Sequence, residues 1–236
     1  MLPIERSGGG KVLNKKVIEI DAGRSPIQHP ATHHRCDLPD VPVLPETLLM
    51  LELCVQGPVA NLRELAEIIL GDLGAAIQVM HKAGQESIFA NARPDRVEDC
   101  ISAFGAQACI EAVSRRTVTR EMNKPLIREA WSHSREIAQR CKLIAEETIR
   151  GKVNPTEAYL TGLFHKIGSL PEILDWDVSH GLPSDAVHAG LMLAEAWFLP
   201  QCVVDYFCEL GGTKRAGRLT GIVQLAHETL SLTVKG

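Results

Sequence analysis

From residue 38 onward, apolar residues recur every three or four positions, and this spacing constrains the fold more than any other feature. Leu48, Leu51 and Val55 share one helical face, and the same spacing recurs in the segments that follow. No segment after residue 40 has the alternating pattern of a sheet strand. The sequence therefore predicts an all-α fold of short helices joined by tight turns.

Residues with side-chain oxygens mark where several of these helices begin. Asn61 has capping-box spacing with Glu64, and Asp72 can cap the next helix. Asn154 precedes proline and glutamate, a strong start for a helix that we expect to run from residue 155 to Ile167 and to end at Gly168. Further helices are predicted at residues 94–104, 106–122, 126–150, 184–198, 200–210 and 218–232.

The helical pattern begins only after an N-terminal segment of different composition. Residues 1–37 contain a glycine run, a short alternating pattern at 11–20 and several prolines and histidines, so we predict a flexible arm with at most one strand. The helical body spans residues 38–232. We expect two lobes, at 38–124 and 125–232, which hinge near residues 122–128.

Net charge excludes a strong overall attraction to nucleic acid or to an anionic membrane, because the formal value is only −4. Two local basic clusters remain, and each predicts either a solvated helix face or a surface for an anionic partner such as nucleic acid. The first comprises Arg115, Arg116, Arg120, Lys124 and Arg128; the second comprises Lys214, Arg215 and Arg218.

The cysteines and the hydropathy of the chain indicate in which cellular compartment the protein is expected. The seven cysteines are scattered, odd in number and form no CxxC pair, which is typical of reduced, mostly buried thiols. No apolar run is long enough to cross a bilayer, and the N-terminus turns polar after four residues. These observations predict an unanchored cytoplasmic protein.

Two groups of histidines are candidate metal ligands. His29, His33, His34 and Cys36 lie in the arm, where they are either solvated or bind an ion. His133 and His165 lie on separate predicted helices, where each is either a packed core residue or a ligand to a shared ion. The spacing alone leaves both alternatives open.

Seven segments, in order, resemble the HDOD domain family over about residues 38–230. The segments are VPVLP at 41–45, the helices at 61–84, VEDCISAFG at 97–105, WSHS at 131–134, EAYLTGLFHKIG at 157–168, and the pair HAGLMLAEAWFLP at 188–200 with LTGIVQLAH at 219–227. The resemblance implies a bacterial signalling or regulatory module related to HD-type metal-dependent phosphohydrolases, in which part of the catalytic set is missing.

The resemblance also implies where a metal pocket once lay. Catalytic relatives carry a histidine at the position of His133, a His-Asp pair at His165 and Lys166, and a late aspartate at His227. Here lysine and histidine replace the two carboxylates, and residues 204–209 lack the histidines that are frequent in the family after its WGLP turn, which here reads WFLP. His133, His165, Lys166 and His227 are therefore interpreted as a vestigial pocket.

Charge determines what such a pocket can hold. Carboxylates neutralise hard divalent ions and help to orient the attacking water, whereas a lysine repels the ion. We therefore expect no catalytic residue and no bound magnesium or manganese. Lys166 is expected either near the emptied position, paired with a carboxylate, or in solvent at the helix end.

The sequence thus predicts a non-enzymatic regulatory module that binds a signalling protein or a small signal molecule, with no cofactor. The alternative is a phosphohydrolase with an altered site, in which His133, His165 and His227 bind zinc. Trp131 and Trp197 are expected to be packing anchors, with ligand stacking as the other possibility.

Overall fold

The computed structural model describes residues 38–56, 61–85, 93–114, 125–147, 152–176, 181–214 and 217–233, all within one compact unit. These residues form helices and no strand, which confirms the all-α prediction. The helices are α1 Pro45–Gln56, α2 Leu62–Leu70, α3 Leu73–Gln85, α4 Val97–Phe104, α5 Ala106–Ser114, α6 Pro125–Glu147, α7 Pro155–Phe164, α8 Leu170–Ile173, α9 Ala186–Ala196, α10 Gln201–Leu210 and α11 Arg218–Thr233. No described helix is both long and apolar enough to span a membrane.

The helices pack in two groups. Helices α1–α5 contact one another, and α6 and α7 pair closely. Helices α10 and α11 contact that pair, α9 packs against α10 and the turn after α7, and α3 also contacts α6. The predicted boundary between the lobes, at residues 124 and 125, adjoins a stretch outside the described residues and stays a prediction. The predicted arm at residues 1–37 also lies outside them.

Hydrogen bonds tie the two groups together. The buried Asp72 carboxylate accepts from the Leu44 N–H at 2.7 Å and from the Trp131 Nε1–H on α6 at 3.1 Å. The Tyr159 hydroxyl on α7 donates to the Leu70 carbonyl at 3.0 Å. The Arg93 guanidinium donates to two carbonyls at the end of α9. Trp131 is thus a packing anchor, as predicted, and its indole N–H is also fully used.

Several predicted helix starts are confirmed by their caps. Asn154 accepts from the Thr156 N–H at 2.9 Å, and Asn61 accepts from the Arg63 N–H at 3.0 Å. The Oδ1 atom of Asp72 accepts from the N–H groups of Gly74 and Ala75 at the start of α3. The capping side chains therefore satisfy N–H groups that a helix leaves without partners at its first turn.

The predicted end of the α7 segment at Gly168 is wrong. Helix α7 ends at Phe164, and Gly168 lies inside a 3₁₀ turn, Ile167–Ser169, that leads into α8. Glycine is required there by close packing, because a Cβ at residue 168 would lie 1.8 Å from the Ala186 carbonyl oxygen. From the sequence, Gly168 was predicted to end the helix. In the structure, its missing side chain instead allows the backbone at Ala186 to pack closely against it.

A second close contact involves Phe198, which follows α9 with a positive φ of 55°. This backbone conformation is strained for a residue with a bulky side chain. The Phe198 ring occupies the space where a side chain on Gly84 of α3 would lie, since a Cβ there would be 2.1 Å from the ring. The positive φ of Phe198 and the lack of a side chain at Gly84 therefore allow the same packing contact.

Gly162 lets α7 approach α6 closely. A Cβ at residue 162 would lie 2.8 Å from Ala138 Cα and 2.9 Å from Cys141 Sγ, and both neighbours are fully buried on α6. No flexible side chain is available to move aside. The close packing of α6 against α7 therefore requires that residue 162 has no side chain.

We predict that Gly162→Ala destabilises the protein by about 1–3 kcal/mol, because the added methyl forces α6 and α7 apart. Gly221→Ala on α11 is the matched control, since nothing lies within 4 Å of its Cβ position; it should stabilise by about 0.5–1 kcal/mol through helix propensity. Urea unfolding followed by circular dichroism measures both. Equal stability of the two variants would contradict the close-packing argument.

Candidate functional site

Three histidines from three helical segments converge on one point. His133 lies on α6, His165 follows α7 directly, and His227 lies on α11. One ring nitrogen of each lies within 4.8 Å of the others. The ring centroids are 4.8–5.4 Å apart. The structure thus brings together three of the four residues of the predicted vestigial pocket around a common centre.

The position of His165 is fixed by the backbone of α7. Its Nδ1 atom lies 2.7 Å from the carbonyl oxygen of Gly162. Because a carbonyl can only accept, Nδ1 carries the hydrogen and Nε2 carries the free lone pair. The Nε2 atoms of His165 and His133 are buried and have no hydrogen-bond partner. A lone pair on His165 Nε2 is therefore held inside the protein without a donor, and the buried His133 Nε2 also lacks a partner.

Burial keeps these imidazoles neutral. It lowers the pKa of His165 to about 3, against the opposing hydrogen bond to Gly162, and lowers the pKa of His133 to about 4. Burial also lowers the pKa of His227, and the positive charge of Lys166 adds to the effect on all three rings. At neutral pH the cluster is therefore an uncharged set of nitrogen donors.

Lys166 lies in solvent just after the end of α7, which is the second of its two predicted positions. Its side chain is exposed, and it forms no hydrogen bond or ion pair with any described residue. The expected pairing of its ammonium with a carboxylate is therefore absent from the described part of the chain. Its charge nevertheless acts on the cluster, because it disfavours protonation of each histidine.

The cluster does not fit the hard ions of HD-type hydrolases. Mg²⁺ and Mn²⁺ prefer oxygen ligands and need carboxylates to balance their charge. Among the residues that the structure describes, no carboxylate joins the three histidines. The donors present are of the kind that zinc and similar transition metals accept.

The other predicted candidates do not join this site. His29, His33, His34 and Cys36 lie outside the described residues, as do Arg115, Arg116, Arg120, Lys124 and Arg215. Arg128 pairs with Glu46 at 2.6 Å, Lys214 pairs with Asp205 at 2.5 Å, and Arg218 donates to the Lys152 carbonyl. In the segment 204–209, Glu209 accepts from the Gly217 N–H and the Thr220 hydroxyl instead of facing the histidines.

A groove of about 1140 Å³ lies between α1, α2 and α4 on one side and α6 and α7 on the other. Sequence reasoning missed it, because its walls come from segments far apart in the chain. One signal was present: Ser132, Arg135, Gln139 and Lys142 recur at helical spacing, and all line the groove. Exposed Met50 and Leu62 contribute apolar surface on the opposite wall.

The charges in the groove are unevenly compensated. Its three acidic lining residues each pair with an arginine: Glu46 with Arg128, Glu67 with Arg63 and Glu98 with Arg96. Arg135 and Lys142 remain without an ion pair among the described residues. The α6 wall therefore presents two uncompensated positive charges beside apolar surface.

The family comparison agrees with this architecture. The HDOD domain family matches residues 41–174, more than half of the chain, so this protein belongs to the HDOD family. The match includes His133, His165 and Lys166 but ends before His227. No curated protein sequence matches the chain significantly.

Solved structures show the same fold at low sequence identity. Two crystal structures of the MmoQ response regulator from Methylococcus capsulatus strain Bath superpose with a TM-score of 0.58, at 17% and 20% identity, and each match covers 80% of this chain and 81% or 85% of MmoQ. A virulence factor from Campylobacter jejuni subsp. jejuni superposes with a TM-score of 0.54 at 15% identity, covering 79% of this chain and 75% of its own. At these identities the likeness establishes the fold.

We predict that the metal-free protein loses stability as pH falls from about 6.5 to 4. In that range the unfolded state holds protons on these histidines while the folded state does not, so unfolding takes up protons and is favoured by acid. His165 alone contributes a loss of about 3 kcal/mol by pH 4. The measurement is urea unfolding in EDTA at several pH values.

His133→Gln should make this pH dependence shallower, by about 1 kcal/mol per pH unit or less, since His133 is only partly buried and solvent screens part of its shift. His188→Gln is the control, because His188 is exposed on α9 and bonded to Asp185. A pH profile of His133→Gln that matches the wild type would contradict the buried neutral cluster.

Proposed function

We propose that this protein is a non-catalytic regulatory module that transmits a signal by binding a partner protein. Membership of the HDOD family and the fold shared with a response regulator support a signalling-related, HD-like domain. The finer proposal is that the ancestral hydrolytic pocket is inactive and that the protein acts through binding. The observation that carries it is the composition of the histidine cluster.

Hydrolysis of a phosphate ester in HD-type relatives requires a metal ion that activates water. Carboxylates at two of the ligand positions would balance the charge of that ion, and here Lys166 and His227 stand in their place. The Lys166 side chain is exposed, so solvent screens its charge, but that charge still opposes a divalent cation in the pocket and offers it no ligand. Burial also lowers the pKa of the three histidines, which weakens each ring as a general base at neutral pH.

The groove supplies the proposed binding site. Its uncompensated Arg135 and Lys142 attract negative charge, and the exposed Met50 and Leu62 offer apolar contact. This combination suits an acidic amphipathic segment of a signalling protein. Because the groove is lined by both groups of helices, an occupant would contact both at once.

The first test is enzymatic. A panel of phosphomonoesters and phosphodiesters, with manganese, magnesium or zinc, should give no turnover above the blank. Zinc-dependent turnover that is lost in His133→Gln would support the alternative function, a phosphohydrolase with a three-histidine zinc site, and would overturn the non-catalytic proposal.

The double variant Lys166→Asp/His227→Asp tests whether two carboxylates at these positions allow the protein to bind Mn²⁺. It restores a carboxylate at each altered position and removes the cation, so Mn²⁺ should bind with a Kd in the sub-millimolar range, whereas the wild type should show no binding at about 1 mM. Electron paramagnetic resonance of free Mn²⁺ measures both. Equal Mn²⁺ binding by the two proteins would show that the charge at these positions does not decide metal selection.

The second test concerns the groove. Arg135→Glu/Lys142→Glu should weaken binding of the native partner at least about tenfold, because both uncompensated charges are reversed. Lys152→Glu is the control, since Lys152 is exposed and does not line the groove. The partner is identified by photocrosslinking from residue 139 in native cells, and its affinity is then measured with purified proteins at low and high salt. Undiminished affinity of the double variant would place the interface elsewhere.

A further inference from the structure

We infer that His133, His165 and His227 form a binding site for zinc, or for a transition metal of similar preference, that fastens α11 to α6 and α7. The inference deepens the proposed regulatory function, because it names an inorganic ligand for the pocket that hydrolysis no longer uses. It follows from the mismatch between the hard ions of the hydrolytic relatives and the nitrogen donors that stand here.

The first argument is the presence of unused donors. The His165 side chain is only 6% exposed, and its Nε2 lone pair has no hydrogen-bond partner, as is also true of His133 Nε2. Buried polar atoms without partners are rare and need an explanation. Both residues belong to the one group of potential ligands that the described residues bring together. A metal ion at the common centre satisfies both.

The second argument is the orientation of His165. Histidines that bind metals usually donate the other ring N–H to a carbonyl or carboxylate, which fixes the tautomer. His165 has this arrangement, with Nδ1–H donating to the Gly162 carbonyl and the Nε2 lone pair free to bind an ion. The same Gly162 lets α7 pack against α6, so the packing contact and the ligand orientation come from one residue.

The third argument is distance. Three nitrogens bound to zinc at about 2.0–2.1 Å in tetrahedral geometry lie about 3.3 Å apart. The candidate donors already lie within 4.8 Å of one another. The remaining contraction is about 1.5 Å or less for each pair, which small side-chain rotations supply. A water molecule would complete the coordination as the fourth ligand.

The location of the donors favours a structural role. His165 and the Nε2 atom of His133 are buried, and the large groove is lined by none of the three histidines. A substrate in solution therefore has no described route to the ion through that groove. His227 comes from α11, whose buried side chains are only Ile222, Val223 and Ala226. With so few anchors, α11 is the helix that an added ligand bond would stabilise most.

Metal binding would then control the position of α11. A ligand that binds the folded, docked state alone stabilises it by a free energy that grows with the logarithm of its concentration above Kd. Zinc occupancy would be the input and docking of α11 against α6 and α7 the output. Lys166 sets the affinity, because its exposed positive charge opposes the ion without blocking the donors.

The test is zinc titration of the full, metal-stripped chain by isothermal calorimetry, with Co²⁺ absorption as the spectroscopic readout. We expect one ion per chain, a Kd of about 1 μM or tighter, and Co²⁺ d–d bands of a four-coordinate site. Mg²⁺ and Mn²⁺ should not bind at about 1 mM. Saturating zinc should raise Tm by about 5–10 °C and slow amide hydrogen exchange in α11.

Variants locate the site. His133→Gln and His227→Gln should each weaken zinc binding at least about fiftyfold, with His188→Gln as a matched control that has no effect. A variant with glutamine at His29, His33 and His34 must retain the site, which excludes binding in the N-terminal arm. Lys166→Gln changes an exposed residue and should tighten binding several-fold, so the inference stays testable even where a histidine variant folds poorly.

Absence of a calorimetric and Co²⁺ signal at about 1 mM would overturn the inference and leave the non-catalytic function intact. Loss of binding in the arm variant but not in the cluster variants would also overturn it. Zinc binding together with zinc-dependent phosphate-ester cleavage would instead confirm the site and overturn the non-catalytic function.

Discussion

The buried carboxylate of Asp72 is the interaction on which the rest of this structure depends. It accepts N–H groups from the segment before α1, from the first turn of α3 and from the indole of Trp131 on α6. Burial raises the pKa of this carboxyl, and the hydrogen bonds oppose that shift. The network fixes the rotation of α6 about its axis, and His133 lies two residues beyond Trp131. A single side chain in one group of helices thus helps to place a ligand in the other.

The site that this frame supports brings three neutral nitrogen donors together, with no carboxylate among the described residues of the group. By the family resemblance, Lys166 and His227 stand where catalytic relatives carry carboxylates. The histidines stay neutral because they are buried, and Lys166 reinforces that neutrality from the surface. A site that suits oxygen-preferring ions needs negative ligands, whereas neutral imidazoles suit zinc. The donors at this site therefore match nitrogen-preferring ions better than oxygen-preferring ones.

Much of the fold could be predicted from the sequence because its signals are local. Capping residues such as Asn154 and Asp72 mark helix starts through bonds to the next few N–H groups, and apolar spacing shows which faces are buried. Gly168 was misinterpreted because its reason lies at Ala186, a contact that no local pattern encodes. His133 and His165 were singled out from their places on predicted helices, whereas His227 was identified through the family resemblance. The groove was missed, since its walls meet only in the folded chain.

The pairing of Gly84 with Phe198 limits how this protein can change over evolutionary time. Phe198 occupies the space that glycine leaves on α3, so a larger residue at position 84 is tolerated only after position 198 has become smaller. The two positions are 114 residues apart in the chain and should therefore show strong epistasis. A chimera that takes residue 84 from a homologue must therefore take residue 198 from the same homologue.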